Sequence, residues 1–221
     1  MKTNQEYKNA ALERLRGNWA PPVVATLIYM LIVCVVVGIM QFPALSPAWQ
    51  GNMGMLLGAS GGGVVLEILI AYPLVVGYTN AIRLLYERRD YEVTRNMKDI
   101  ALANYGHKLA GMFLYSLKIF FWTLLFFIPG IVMCFAYAMT PYILEEHPEI
   151  GAWDASTRSR EMMKGHKFDL FYLYLSFIGW FLLSLLTLGI GFIWLSPYVD
   201  AAKAAFYNDL KAEQGEEAVT A

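Results

Sequence analysis

From Gly17 to Leu66 the chain runs fifty residues without an Asp, Glu, Lys or Arg. Two later stretches are almost as bare: Leu109 to Leu144 carries only Lys118, and Leu170 to Val199 carries no charge. A hydrocarbon core about 30 Å thick needs roughly 20 apolar residues per helix. Each stretch is long enough to enter a bilayer, and the last two are long enough to do so twice. Only 16% of the 221 residues are charged, where soluble domains carry about 25%. The reading is a single integral membrane domain over residues 1–221.

The net charge of −1 supplies no basic field of the kind that draws nucleic acid. Residues 1–16 hold Lys2, Glu6, Lys8, Glu13, Arg14 and Arg16, and the apolar segment behind them is too long for a cleaved signal sequence. Cys34 and Cys134 lie inside apolar segments, too few and too far apart for a disulfide or metal framework; they read as buried thiols.

Helix punctuation divides the apolar stretches. A first span covers Trp19 to Gln41, with Pro21 and Pro22 in the first turn, where a missing N–H costs little. Residues 42–63, rich in Pro, Gly, Ser and Asn, read as a loop. A second span covers Val64 to Leu85, interrupted by Pro73. Ile128-Pro129-Gly130 divides the next stretch into spans at 109–128 and 131–146. Leu188-Gly189-Ile190-Gly191 divides the last into 168–187 and 191–210. The expected fold is all-α: six transmembrane helices as three hairpins. Four spans with re-entrant pairs remain the alternative.

Sixteen of the seventeen basic residues fall in segments 1–18, 83–108, 147–168 and the C-terminal segment, and none in the connections at 42–63, 129–130 and 188–191. The positive-inside rule makes the charged side, with both termini, cytoplasmic. The charged segments end alike: Arg16-Gly17-Asn18-Trp19, Tyr105-Gly106-His107-Lys108 and Lys164-Gly165-His166-Lys167. Amphipathic helices precede the second and third junctions, with Val93, Met97, Ile100 and Ala101 at helical spacing in one and Ala155, Met162 and Met163 in the other. The first is weaker, because Lys8 interrupts its Leu12, Leu15 and Trp19 stripe. Each unit closes on a helix with an internal proline: Pro73, Pro141, Pro197. Three internal repeats are expected, at 5–89, 93–149 and 152–210.

The C-terminal half resembles a family of bacterial membrane proteins grouped as domain of unknown function 975. The resemblance rests on Ile128-Pro129-Gly130-Ile131, Met163-Lys164-Gly165-His166-Lys167, Leu175-Ser176-Phe177-Ile178-Gly179-Trp180 and Thr187-Leu188-Gly189-Ile190-Gly191. Pro197-Tyr198, Phe206-Tyr207 and the N-terminal Leu15-Arg16-Gly17-Asn18-Trp19 extend it. It implies a multi-pass protein of the bacterial plasma membrane and transfers no catalytic residue.

Two ionisable residues fall inside apolar segments, Glu67 and Lys118. Charges at membrane depth are costly and often functional; these two read either as a structural pair or as a polar path. His107, Lys108, Lys164, His166 and Lys167 stand at the junctions, where basic side chains attract anionic lipid at about 1 kcal/mol per charge; the plainer alternative is that they anchor helix ends. Glu145-Glu146-His147-Pro148-Glu149 reads as a solvated turn. No HExxH, GxSxG or phosphate loop occurs, so neither enzyme chemistry, a cofactor nor a metal is expected. The leading functional expectation is a non-enzymatic membrane protein acting through contacts with membrane lipids, anionic ones included, or with a protein partner or second copy, and not with nucleic acid. The alternative is a small transporter or channel with a polar path near Glu67 and Lys118.

Overall fold

The computed structural model describes residues 2–45, 53–125 and 127–220, with side chains left aside at 39–61, 63, 125–128 and 216–220. Among the described residues the chain is helical, without strands. The helices are α1 (Asn4–Leu15), α2 (Ala20–Leu45), α3 (Met53–Arg88), α4 (Val93–Leu102), α5 (Tyr105–Leu125), α6 (Phe127–Ala136), α7 (Thr140–Glu146), α8 (Ala152–Met162), α9 (Lys167–Leu175), α10 (Ile178–Leu186) and α11 (Phe192–Thr220).

Three helical segments are long and apolar enough to cross a membrane: Ala20–Gly38, Val64–Arg88, and Lys167–Leu186, which α9 and α10 make together. Their outer faces are greasy: Leu31 is 65% exposed, Leu182 63% and Leu186 80%. A water-soluble monomer rarely leaves so much contiguous apolar surface uncovered.

Several boundaries differ from the sequence expectation. Residues 53–63 belong to α3 rather than to a loop; glycines that would destabilise a helix in water still form one when neighbouring turns are apolar. Residues 46–52 lie outside the described ones. The helix expected at 131–146 is two, α6 and α7, because Pro141 has no N–H and the chain turns at 137–139. The helix expected at 168–187 breaks at Ser176 and Phe177. Cys34 and Cys134 are free and exposed rather than buried; each sits on the apolar outer side of its helix.

Three of the backbone breaks are closed by a side chain from another helix. Pro73 lacks the donor that Leu69 O would otherwise accept from in an unbroken helix, and Tyr105 Oη donates to that carbonyl at 2.5 Å. At the α6/α7 break, Ser159 Oγ of α8 accepts from Met139 N and donates to Ala136 O, both at 3.1 Å. At the α9/α10 break, Lys8 Nζ of α1 donates to Ser176 O at 2.7 Å and lies 4.6 Å from the Phe177 ring centre. The residue that interrupts the apolar stripe of α1 thus has a definite partner, as unpaired backbone groups in an apolar setting demand.

Two of the short charged helices, α4 and α8, pack back on the helices that precede them. α4 lies on α2 and α3, and α8 lies on α5, α6 and α7. α1 lies on α11, the last helix, through Tyr7 Oη to Asp209 Oδ2 (2.9 Å) and Lys2 Nζ to Asp209 Oδ1 (2.5 Å). Val93, Met97, Ile100 and Ala101 of α4 are buried, as are Ala155 and Met162 of α8 with Met163 beyond it; in α1 the buried residues are Tyr7, Ala11 and Leu15. α4 approaches α3 so closely that a Cβ on Gly77 would meet Met97 O at 2.3 Å. Gly17 and Gly165 take positive φ after α1 and α8, whereas at the second junction Asn104 (φ 49°), not Gly106, does so.

Candidate functional site

The prolines of α3, α7 and α11 set three polar helix segments against one another. Asn80 Nδ2 donates to Val76 O on its own helix and to Pro141 O on α7, both at 2.9 Å. The Tyr142 and Tyr207 rings stack at 4.8 Å between centres, joining α7 to α11. Thr26 and Tyr78 hydroxyls hydrogen-bond at 2.9 Å, and the Tyr29 ring stacks on Tyr78 at 4.9 Å, tying α2 to α3.

At the charged end of this core Glu146 gathers three partners. Arg83 Nη1 bonds its Oε1, Lys211 Nζ reaches the same oxygen at 2.7 Å, and Tyr207 Oη donates to Oε2 at 2.5 Å. Beside it the Lys108 ammonium, fully buried, meets Glu145 Oε2 at 2.6 Å and the Ile100 carbonyl. A cleft of about 690 Å³ opens over these groups, lined in part by Arg88, Arg158 and His147. Of the segment Glu145–Glu149, expected as a solvated turn, Glu145 and Glu146 instead end α7 and hold buried cations, while Pro148 and Glu149 are exposed in the turn that follows.

Further along α11, Asp200 and Lys203 enter the interior. Both keep only intermediate exposure. The Lys203 ammonium stands 5.3 Å from the centre of the Tyr142 ring. No hydrogen bond or ion pair within 4.0 Å engages the Asp200 carboxylate among the described residues, and none joins it to Lys203. At more than 4 Å and an effective dielectric of about 20, their attraction is below about 4 kcal/mol. Withdrawing two ions from water costs several kcal/mol each, so the pair does not balance its own burial. Tyr142 Oη, Thr140 Oγ1 and Asn80 Oδ1, on residues with no exposed surface, also lack hydrogen-bond partners.

The residues singled out from sequence are dispersed. Glu67 is half-buried on α3, and no hydrogen bond or ion pair joins it to Lys118 among the described residues. Lys118 instead donates to Ser156 Oγ and stands 3.7 Å from the Trp153 ring centre, holding α8 against α5. Lys108 is engaged with Glu145, as above. His107 is half-buried with Nε2 unpartnered, and His166 faces Asp169 (3.2 Å) and Glu213 (3.7 Å). Lys164 is exposed, and Lys167 edges an apolar groove of about 330 Å³ between α6 and α9, lined by Ile131, Val132, Phe135, Phe168 and Phe171. Among the described residues no cluster of His, Cys, Asp and Glu has the makings of a metal site.

The sequence reasoning passed over Asp200 and Lys203 although both fall within the helix assigned to 191–210. Counting basic residues by segment moved Lys203 to the charged side. Their spacing of three places them on one helical face, just beyond Pro197, and that was the available signal.

The fold and this interior define an all-helical protein with apolar helices of membrane-crossing length around an ionic core. Residues 124–214 match the family model described as Protein of unknown function (DUF975), and that segment contains Glu146, Asp200 and Lys203. No curated protein and no solved structure matches the chain.

Proposed function

We propose that the protein is a non-enzymatic, multi-pass protein of a bacterial plasma membrane that binds and passes a small polar solute through its interior. In this reading six helical spans form three hairpins: α2 with α3, α5 with α6–α7, and α9–α10 with α11. Both termini and the basic cleft are cytoplasmic. One observation carries it: on α11 the Lys203 ammonium stands 5.3 Å from the centre of the Tyr142 ring, and no hydrogen bond or ion pair within 4.0 Å engages Asp200 or joins it to Lys203 among the described residues. Intramembrane ions are retained where they serve a pathway, and a charged pair that served only to hold helices together would be bonded. The path begins at the Arg83–Glu146–Tyr207 cluster and continues along α11 past Lys203 to Asp200. The polar route lies there rather than at Glu67 and Lys118.

Proteoliposomes test this. Purified protein should release trapped small solutes, offered one at a time as amino acids, sugars and monovalent cations. Asp200→Asn should abolish the release, and Glu67→Gln should leave it intact. Vesicles that hold every solute regardless of genotype would refute the reading.

A second reading has its own observation. The groove between α6 and α9 is apolar along its length and has Lys167 at its edge, which suits a lipid with an anionic headgroup. Under that reading the protein acts through lipid or protein contacts at its basic face. Loss of co-purifying anionic lipid in a Lys164→Gln/Lys167→Gln variant would support it.

A further inference from the structure

The cleft over the Glu146 cluster has room for a small molecule, and its walls carry more positive charge than the protein itself neutralises. We infer that this cleft binds a doubly charged phosphomonoester between the guanidinium groups of Arg88 and Arg158, the phosphate being carried by a small soluble molecule or by a lipid headgroup. The inference goes beyond the passage of a solute along α11 and does not depend on it.

The cleft measures about 690 Å³ and is bounded by α3, α4, α7, α8 and α11, within the range of about 300–1,000 Å³ that small-molecule sites occupy. Three carboxylates line it, and each already faces a cation. Glu145 meets Lys108 at 2.6 Å, Glu146 holds Arg83 and Lys211, and Glu87 stands 3.9 Å from Arg83 Nε. Arg88 and Arg158 line the same cleft, and among the described residues neither makes an ion pair within 4.0 Å or a side-chain hydrogen bond. Arg158 has Asp154 four residues before it and Glu161 three after, the spacings at which helical ion pairs form, yet it pairs with neither. Five cations, Lys108 included, thus stand against three carboxylates, which leaves two positive charges open. Two open charges select a dianion. A phosphomonoester carries about −1.5 to −2 at pH 7, whereas a carboxylate or a phosphodiester carries a single charge. The planar guanidinium fork matches phosphate oxygens in pairs. Arg83 adds a further donor to the lining: it is 5% exposed, and its Nε–H has no hydrogen-bond partner, Glu87 being too distant to accept. Such orphaned groups are uncommon in native interiors. Leu84 and Ile100 form an apolar part of the wall, which suits an organic ester better than the bare inorganic ion.

Calorimetric titration of the full-length, detergent-purified protein tests the inference. The soluble probes are methyl phosphate and glycerol 3-phosphate, with methyl sulfate as the singly charged control. The lipid probe is a short-chain phosphatidic acid, with the matching phosphatidylcholine as its control. At least one phosphomonoester should bind, about tenfold or more tightly than its control. Arg88→Gln and Arg158→Gln should each weaken that binding about tenfold or more, since each removes a charge-assisted contact. Arg89→Gln and Arg160→Gln remove the same charge from exposed residues that do not line the cleft, and should change the affinity little. All four side chains are exposed, so the fold should survive; circular dichroism checks this, and if one cleft variant fails to fold the other decides. Binding of a soluble phosphomonoester assigns the site to a soluble phosphate, and binding of phosphatidic acid alone assigns it to a lipid headgroup. Absence of binding by every phosphomonoester overturns the inference, as does a control that binds equally well. Equal weakening by all four variants also overturns it, because the attraction would then belong to the charged surface at large. Asp200 does not line the cleft, so Asp200→Asn should leave phosphate affinity unchanged whether or not it stops the release of solutes.

Discussion

Gly77→Ala adds one methyl group where α3 and α4 are closest. The new Cβ would lie 2.3 Å from Met97 O and 2.9 Å from the Ala101 side chain. The nearest obstacle is backbone, so no rotamer change relieves it, and α4 must move outward by about 1 Å to reach ordinary contact. Overpacking of this kind costs typically about 1–3 kcal/mol. Against it stands the helix preference of alanine over glycine, up to about 1 kcal/mol. The expected net loss is about 1–2 kcal/mol. Gly106→Ala is the matched control, because nothing lies within 4 Å of its new Cβ; it should leave stability unchanged or raised by up to about 1 kcal/mol. Unfolding in detergent, followed by tryptophan fluorescence during titration with a denaturing detergent, reads both. The close approach of α4 to α3 would be refuted if Gly77→Ala proved as stable as Gly106→Ala.

Glu146→Gln should destabilise the protein in the same assay by up to about 3 kcal/mol, because it leaves Arg83, whose side chain is 6% exposed, with only the Glu87 carboxylate at 3.9 Å as a countercharge. Lys8→Met should cost about 1–2 kcal/mol by removing the donor to the Ser176 carbonyl, whereas Lys8→Arg should recover part of it; equal stability of all three proteins would count against a role at the break. The Asp90 carboxyl is held below its ordinary value, first by the Asn96 side-chain N–H and then by the Glu92 backbone N–H. A group depressed in the folded state adds stability above its unfolded value, near 4, and loses that contribution as pH falls through the folded value. The wild type should therefore lose stability more steeply than Asp90→Asn below about pH 4, and parallel curves would refute the assignment. Cys34 and Cys134 are exposed on apolar helix faces. The thiolate is the nucleophile and apolar surroundings disfavour it, so in membranes both should resist a charged maleimide and react with it only after denaturation in detergent; labelling in intact membranes would place those faces in water.

Much of the framework was legible because apolar runs and their interruptions are local properties. Gly17, Gly165 and the buried stripe Val93, Met97, Ile100 and Ala101 of α4 could be read from spacing. The function of a charge could not, because it depends on a partner far along the chain. Lys8 looks like a flaw in a stripe until Ser176, 168 residues away, supplies the carbonyl. Glu145 and Glu146 read as solvent-facing until Lys108 and Arg83 arrive from other helices. Asp200 and Lys203 escaped for a related reason. Charge counting treats a helix end as belonging to one side of the membrane, whereas only packing tells whether a side chain near that end points outward or into the bundle.

The packing of α1 on α11, the last helix made, has a consequence for how the chain is made. Synthesis runs at about 5–20 residues per second, so α1 emerges roughly ten to forty seconds before the Phe206 and Asp209 that complete its binding face. For that interval α1 has only its smaller contact with α3, through Arg14 and Tyr86, to hold it. α4 and α8, by contrast, follow immediately upon the helices they rest on. The first helix of the chain is thus the last to find its place, and a ribosome stalled before α11 leaves the N-terminus as the exposed, aggregation-prone end.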